Sequence, residues 1–187
     1  MTKYLGAVAA CMILWTGALR AQTQTPVNMD AAAIADFKDR VYGYAALQKK
    51  LDATIKEPTS DSPQQAFLDH QRALAKLIQK ARAGAKPGDL CRKPMRDVIR
   101  KLVAGVVRGP GGAEIRKSIL DEDPGNLRLT VNSEYPDNAP LTTVPPQILR
   151  GLPTLPEGVE YRFIGNRLLL IGSHARIVAD IVERVFP

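Results

Sequence analysis

The 187-residue chain has little from which to build a covalent or metal-held scaffold: two cysteines, two histidines and one tryptophan. Cys11 lies in an N-terminal apolar run, so Cys91 stands alone in the rest of the chain and no intramolecular disulfide can form there. A lone cysteine in an oxidising space is either buried as a small hydrophobe or pairs between chains, and Leu90 with the amphipathic segment after it points to burial. A tetrahedral zinc site of nitrogen and sulfur ligands would consume nearly every candidate. His70 and His174 could share a site only if the helical and extended parts of the chain fold together. No metal and no cofactor is expected.

Catalytic patterns are missing as well. The chain after residue 21 contains no Gly-x-Ser-x-Gly elbow, Ser-x-x-Lys pair, His-Glu-x-x-His helix, phosphate-cradling glycine loop or Cys-x-x-Cys. Asp121-Glu122-Asp123 fails the calcium-loop spacing, because Gly125 and Asn126 occupy the positions that need an acid and a glycine. No catalytic residue is assigned.

What the chain does have begins with an export leader. Lys3 gives a basic start, Tyr4 to Leu19 an apolar run, and Ala21 a small cleavage residue before Gln22, so residues 1–21 read as a signal peptide. A retained anchor would need ~20 apolar residues and a basic stop behind them. Val8-Ala9-Ala10-Cys11 has the outline of a lipobox, but Met12 to Trp15 continue the apolar run past the cysteine. The expected location is periplasmic or secreted. Loss of Lys3 and Arg20 lowers the formal charge from +7 to +5, still favouring acidic partners.

From Asp30 to Lys56 a helical seam runs through Ile34, Phe37, Val41, Tyr44, Gln48, Leu51 and Ile55. Pro58 stops it. Ser62-Pro63-Gln64-Gln65 reads as a capping box for a second helix to Arg82, with seam Phe67, His70, Leu74, Leu77 and Ala81. A short loop between two such helices predicts an antiparallel hairpin, with His70 beside Leu51 and Asp52. The ring and carboxylate would form a structural or pH-sensitive pair. Gln48 reads as a polar residue that sets register.

Lys93-Pro94 opens a third helix whose apolar face is Met95, Val98, Ile99, Leu102, Val103 and Val106. Arg92, Lys93, Arg96, Arg100 and Lys101 make it basic, and they are the candidate binding residues for an acidic surface or an envelope partner. The other reading is an ordinary solvated face. The compartment and the lack of interleaved aromatics argue against nucleic acid. A short helix over 113–120 ends at Asp121 to Gly125.

Beyond that turn, Leu127, Leu129 and Val131 alternate in strand period. The proline-rich stretch to Pro156 reads as chain pinned over a surface by Leu141, Val144, Ile148, Leu149, Leu152 and Leu155. Val159 to Ile164 and Arg167 to Ile171 flank Gly165-Asn166, a hairpin. The segment 174–185 fits either a helix capped by Ser173 or a third strand, and periodicity leans to helix. The fold class is therefore α+β: residues 22–124 helical, 125–187 extended with a small antiparallel β module, the two packed as one unit.

Two resemblances bear on this. Phe37-Lys38-Asp39-Arg40-Val41, His70-Gln71-Arg72-Ala73-Leu74, Ala85-Lys86-Pro87-Gly88-Asp89, Val144-Pro145-Pro146 and Glu160-Tyr161-Arg162-Phe163-Ile164-Gly165 together resemble a group of exported bacterial proteins of uncharacterised function. That resemblance implies a secreted, self-contained unit and no particular activity. Leu155 through Ile181 resembles the C-terminal strand module of the periplasmic nickel and cobalt homeostasis family, which implies that the Ile177 segment is a strand. The expected role is a non-enzymatic envelope protein binding a partner or anionic surface, with a metal-response protein or a hydrolase of unrecognised site as alternatives.

Overall fold

The computed structural model describes residues 28–187 except 126, 137, 138, 140 and 141. The expected leader with its expected cleavage after Ala21, the Cys11 motif and Leu141 lie outside the described residues. Five helices, α1 (Met29–Asp52), α2 (Gln64–Ala81), α3 (Lys93–Arg108), α4 (Gly112–Asp121) and α5 (Pro146–Leu149), precede three strands, β1 (Val159–Ile164), β2 (Arg167–Gly172) and β3 (Ile177–Glu183). The strands form an antiparallel meander in the order β1-β2-β3. The fold is α+β.

Each helix starts where local chemistry supplies acceptors or a fixed φ. Asn28 caps α1, its Oδ1 accepting the N–H of Asp30 and Ala31 at 3.1 and 3.3 Å. Pro94 stands in the first turn of α3, where a missing N–H costs nothing. The capping box expected for α2 is not formed. Pro63 is itself the cap residue, and the Ser62 hydroxyl instead accepts the Thr59 N–H at 3.0 Å, closing the turn before the helix.

α1 buries Phe37, Val41, Tyr44 and Gln48 along the expected seam. It packs against both α2 and α3, so the first two helices are not a free-standing hairpin. The inner line of α2 is Leu74, Ala75 and Ile78, rotated from the expected seam, and Phe67 is left exposed. Cys91 is fully buried and unpaired.

Within the segment 174–185, residues 177–183 are a strand, and the lean towards helix is corrected. Ile177 to Val182 are all buried because the sheet is covered on both faces. One face joins the helices in the main core through Tyr161, Phe163, Leu168, Leu170, Ala179 and Val182. The other packs Ile164, Leu169, Ile171, Val178 and Ile181 against Leu129 and Tyr135. An apolar run buried on both sides has no period-two signal, so periodicity cannot tell it from a helix.

Residues 127–132 do not form the expected strand. The chain turns at Asn132, whose φ is +70°, and residues 132–135 run along the outer edge of β3. There Asn132 N–H donates to Val178 C=O at 2.8 Å, and Glu134 bridges Ile177. This covers the sheet edge, which would otherwise present unpaired backbone groups. The proline-rich stretch is pinned as expected by Val144, Ile148 and Leu152, although Leu149 faces solvent. The main core draws side chains from both the helical and the extended part, each fully buried Leu, Ile or Phe contributing about 1.5–3 kcal/mol. Among the described residues no helix is long and apolar enough to cross a membrane.

Candidate functional site

The two histidines meet on one carboxylate. Asp52 closes α1, His70 lies in the second turn of α2, and His174 sits in the turn between β2 and β3. His70 Nε2 is 3.3 Å from Asp52 Oδ1, in the pairing that antiparallel register predicts. His174 Nδ1 is 4.0 Å from Asp52 Oδ2. The contact of Oδ1 with His70 is electrostatic, because this buried oxygen has no partner in hydrogen-bond geometry.

Asp52 and Lys49 are shared by two adjoining clefts. The larger, of about 440 Å³, is walled by Tyr42, Ala45, Ala46 and Pro156, with Gln48, Asp52, Glu157 and His174 supplying polar groups. The smaller, of about 310 Å³, runs past Ile55 and Glu57 to His70. The larger cleft has no serine, threonine or cysteine in its wall. Among the described residues no three histidine, cysteine or acidic side chains stand close enough to hold a metal ion.

Tyr44, Gln48 and Asp52 recur at intervals of four and so lie on one face of α1. Each carries a buried oxygen with no hydrogen-bond partner: the Tyr44 hydroxyl, Gln48 Oε1 and Asp52 Oδ1. The Gln48 amide is fixed by its Nε2, which donates to Gly158 C=O at 3.3 Å. Gly172 lets β2 approach closely here, since a Cβ at that position would collide with Gln48 Oε1 and the Tyr44 hydroxyl. Burial pushes the Tyr44 hydroxyl up to about 12, against the opposing charge of Arg82, whose guanidinium lies 4.8 Å from the ring centroid.

The basic stripe of α3 is only partly free for outside partners. Arg92 reaches Asp36 at 3.5 Å, Lys93 reaches Asp97 at 2.6 Å and Lys101 reaches Asp30 at 3.3 Å. Hydrogen bonds from Lys93 and Arg100 hold the Asp97 carboxyl below its usual range. Arg100 also donates to the carbonyls of Glu183 and Arg184 at 2.8 and 3.2 Å, fastening α3 to the end of β3. The Arg96 guanidinium lies against Gly88. Sequence reasoning found His70 and Asp52 but not the approach of His174, nor Glu157 and Lys49. The one available signal was the polar interruption of the α1 seam at Gln48.

Comparisons with protein-family models, curated proteins and solved structures return no match to this chain.

Proposed function

We propose that this chain is an exported, non-enzymatic binding protein that engages an acidic envelope surface or partner through α3. The observation that carries the reading is the exposure of Lys93 and Lys101, whose side chains are 79% and 78% accessible, on a chain whose formal charge falls from +7 only to +5 with the expected loss of Lys3 and Arg20. Their acidic partners are also in solvent, and such pairs are weak enough for a polyanion to displace. Arg92 extends the same contact region. Arg100 and Arg96 serve the fold instead, since the first is committed to the end of β3 and the second to Gly88.

Co-sedimentation of the mature protein with anionic vesicles tests this at two salt concentrations. Binding that weakens with salt, and is lost in the double variant Lys93→Glu, Lys101→Glu, is expected. Absence of binding at both salt concentrations overturns it.

The alternative of a periplasmic metal-response protein would have to use His70, His174 and Asp52, which as placed are not close enough together to hold a metal ion. Titration with nickel, cobalt and zinc tests it. Affinity unchanged in His70→Ala and His174→Ala removes it. The same cleft would suit a hydrolase only with water as nucleophile, because its wall offers no hydroxyl or thiol of serine, threonine or cysteine.

A further inference from the structure

We infer that the groove between the end of α3 and α4 seats one anionic phospholipid, its phosphate on Arg108 and Arg116 and the start of an acyl chain over Leu120. This takes the α3 reading a step further by naming the acidic partner, and it rests on that reading only for the row of cations that leads to the groove.

A glycine-rich corner makes the groove. Gly111 takes a φ of +70°, and a Cβ at Gly112 would collide with the carbonyls of Val106 and Val107, so α4 can turn back tightly against the end of α3. Ile119, buried in the main core, fixes α4 there. The groove that remains holds about 420 Å³. That lies within the range of about 300–1,000 Å³ usual for small-ligand sites. Val107, Ala113 and Leu120 give it an apolar lining, and Leu120 is one of the few large apolar side chains left exposed, at 38%.

Charge selects the head of the ligand. Arg108, Arg116 and Lys117 line the groove with Asp121 as the one acidic side chain, and cations still outnumber acids when a carboxylate at Pro187 is counted. Lys117 stands 3.9 Å from Asp121, an exposed pair of little strength. Arg108 and Arg116 are exposed and have no ion-pair or hydrogen-bond partner among the described residues, whereas Arg82 and Arg100 are committed to carbonyls of the sheet. A guanidinium offers a phosphate two parallel donors, and the apolar lining beside it accepts the chain that a soluble anion lacks. Both walls are helices, which give an extended acidic peptide no strand edge to pair with. Lys93, Lys101 and Arg108 recur at intervals of eight and seven and so share one side of α3, with about 10 Å of helix between the last two. The exposed cationic face of α3 therefore leads into the groove, as a surface of lipid phosphates requires.

The test uses the mature protein with dihexanoyl phosphatidylglycerol, kept below its micelle concentration, as probe. Glycerol phosphate carries the head without the chains, dihexanoyl phosphatidylcholine the chains without net charge, and tetraglutamate the charge of an acidic peptide. Binding is followed by amide NMR shifts of Val107, Ala113 and Leu120. Saturable shifts with the anionic lipid are expected, with each control at least about tenfold weaker. The double variant Arg108→Gln, Arg116→Gln should weaken the lipid by about tenfold, and because both side chains are exposed and unpartnered it reports on binding apart from folding. Lys93→Glu, Lys101→Glu should leave this affinity nearly unchanged at about 0.15 M salt, where charges more than about 8 Å away are screened. Absence of saturable shifts in the groove, a control bound as tightly as the lipid, or undiminished affinity in the Arg108, Arg116 variant overturns the inference. Vesicle sedimentation that fails while the groove shifts persist removes the α3 reading and leaves the groove standing.

Discussion

The carboxylate of Asp180 in β3 accepts the backbone N–H of Cys91 at 2.8 Å, across 89 positions of sequence. The same side chain takes the N–H groups of Gly88, Leu90 and its own neighbour Ile181 at 2.8, 2.8 and 2.7 Å. A fully buried carboxylate is thus filled by four backbone donors, and the loop between α2 and α3 is bound to the middle of the sheet. A register shift beside Leu170 and Ile171 leaves Ala179 unpaired, and its carbonyl receives both terminal nitrogens of Arg82 at 3.1 Å.

Asp180→Asn should therefore be among the costliest single substitutions in the chain. One acceptor oxygen becomes an NH₂ group facing two backbone donors, so a loss of about 3–5 kcal/mol is expected. Urea unfolding measures it. A loss below about 1 kcal/mol would show that water reaches these donors and that the loop is not held through Asp180.

Buried acids of high pKa set the alkaline limit. Burial raises the Cys91 thiol above its ordinary 9.0, reinforced by the Asp180 charge and opposed by Arg96 and Arg100. Burial likewise holds the Tyr44 and Tyr161 hydroxyls above their ordinary 10.0. These groups keep their protons in the folded chain while the unfolded chain releases them. Their contribution is complete below the unfolded values and drains away as pH climbs through about 9 to 12. Urea midpoints should hold level to about pH 9 and then fall, and Cys91→Ala should delay the onset by about one pH unit. Midpoints unchanged up to about pH 11 would contradict the burial of these groups.

The Asp52 junction gives a pairwise prediction. A protonated His70 or His174 is attracted to the Asp52 carboxylate, and a neutral imidazole much less. A double-mutant cycle between Asp52→Asn and His70→Ala in acidic buffer should give about 0.5–1 kcal/mol of coupling at low salt and less at about 1 M salt, where partly exposed charges are screened. Equal coupling at both salt concentrations would mean that the contact is steric, not ionic.

The sequence carried the helices, the Gly165-Asn166 hairpin and the His70–Asp52 pair because each depends on local spacing. Residues 174–185 were ambiguous for a different reason. Covered on both faces, that strand shows no alternation, and the element covering its second face is an irregular segment with no signature of its own. His174 was recognisable as a titratable group, but its distance from Asp52 depends on how the sheet docks on α1. The same holds for Asp180, which reads in sequence as one more acid among aliphatics. The α3 stripe was legible as charge, whereas Arg100 is committed to carbonyls at 183 and 184 that no spacing rule connects to it.

Two glycines separate local propensity from tertiary packing, and the same substitution should move stability in opposite directions. Gly43 lies in the interior of α1 with open space where a Cβ would be, so Gly43→Ala gains helix propensity without a clash. A rise of about 0.5–1 kcal/mol is expected. Gly172 ends β2 where Gln48 and Tyr44 press against the strand, and a Cβ there has to displace the buried oxygens of both. Gly172→Ala should cost about 1–3 kcal/mol, because displacing Gln48 also disturbs its hold on Gly158. Thermal unfolding of the two variants beside the parent decides the matter. A neutral Gly172→Ala would show that α1 and β2 can separate at no cost, and the packing that places Gln48 in the cleft wall would lose its basis.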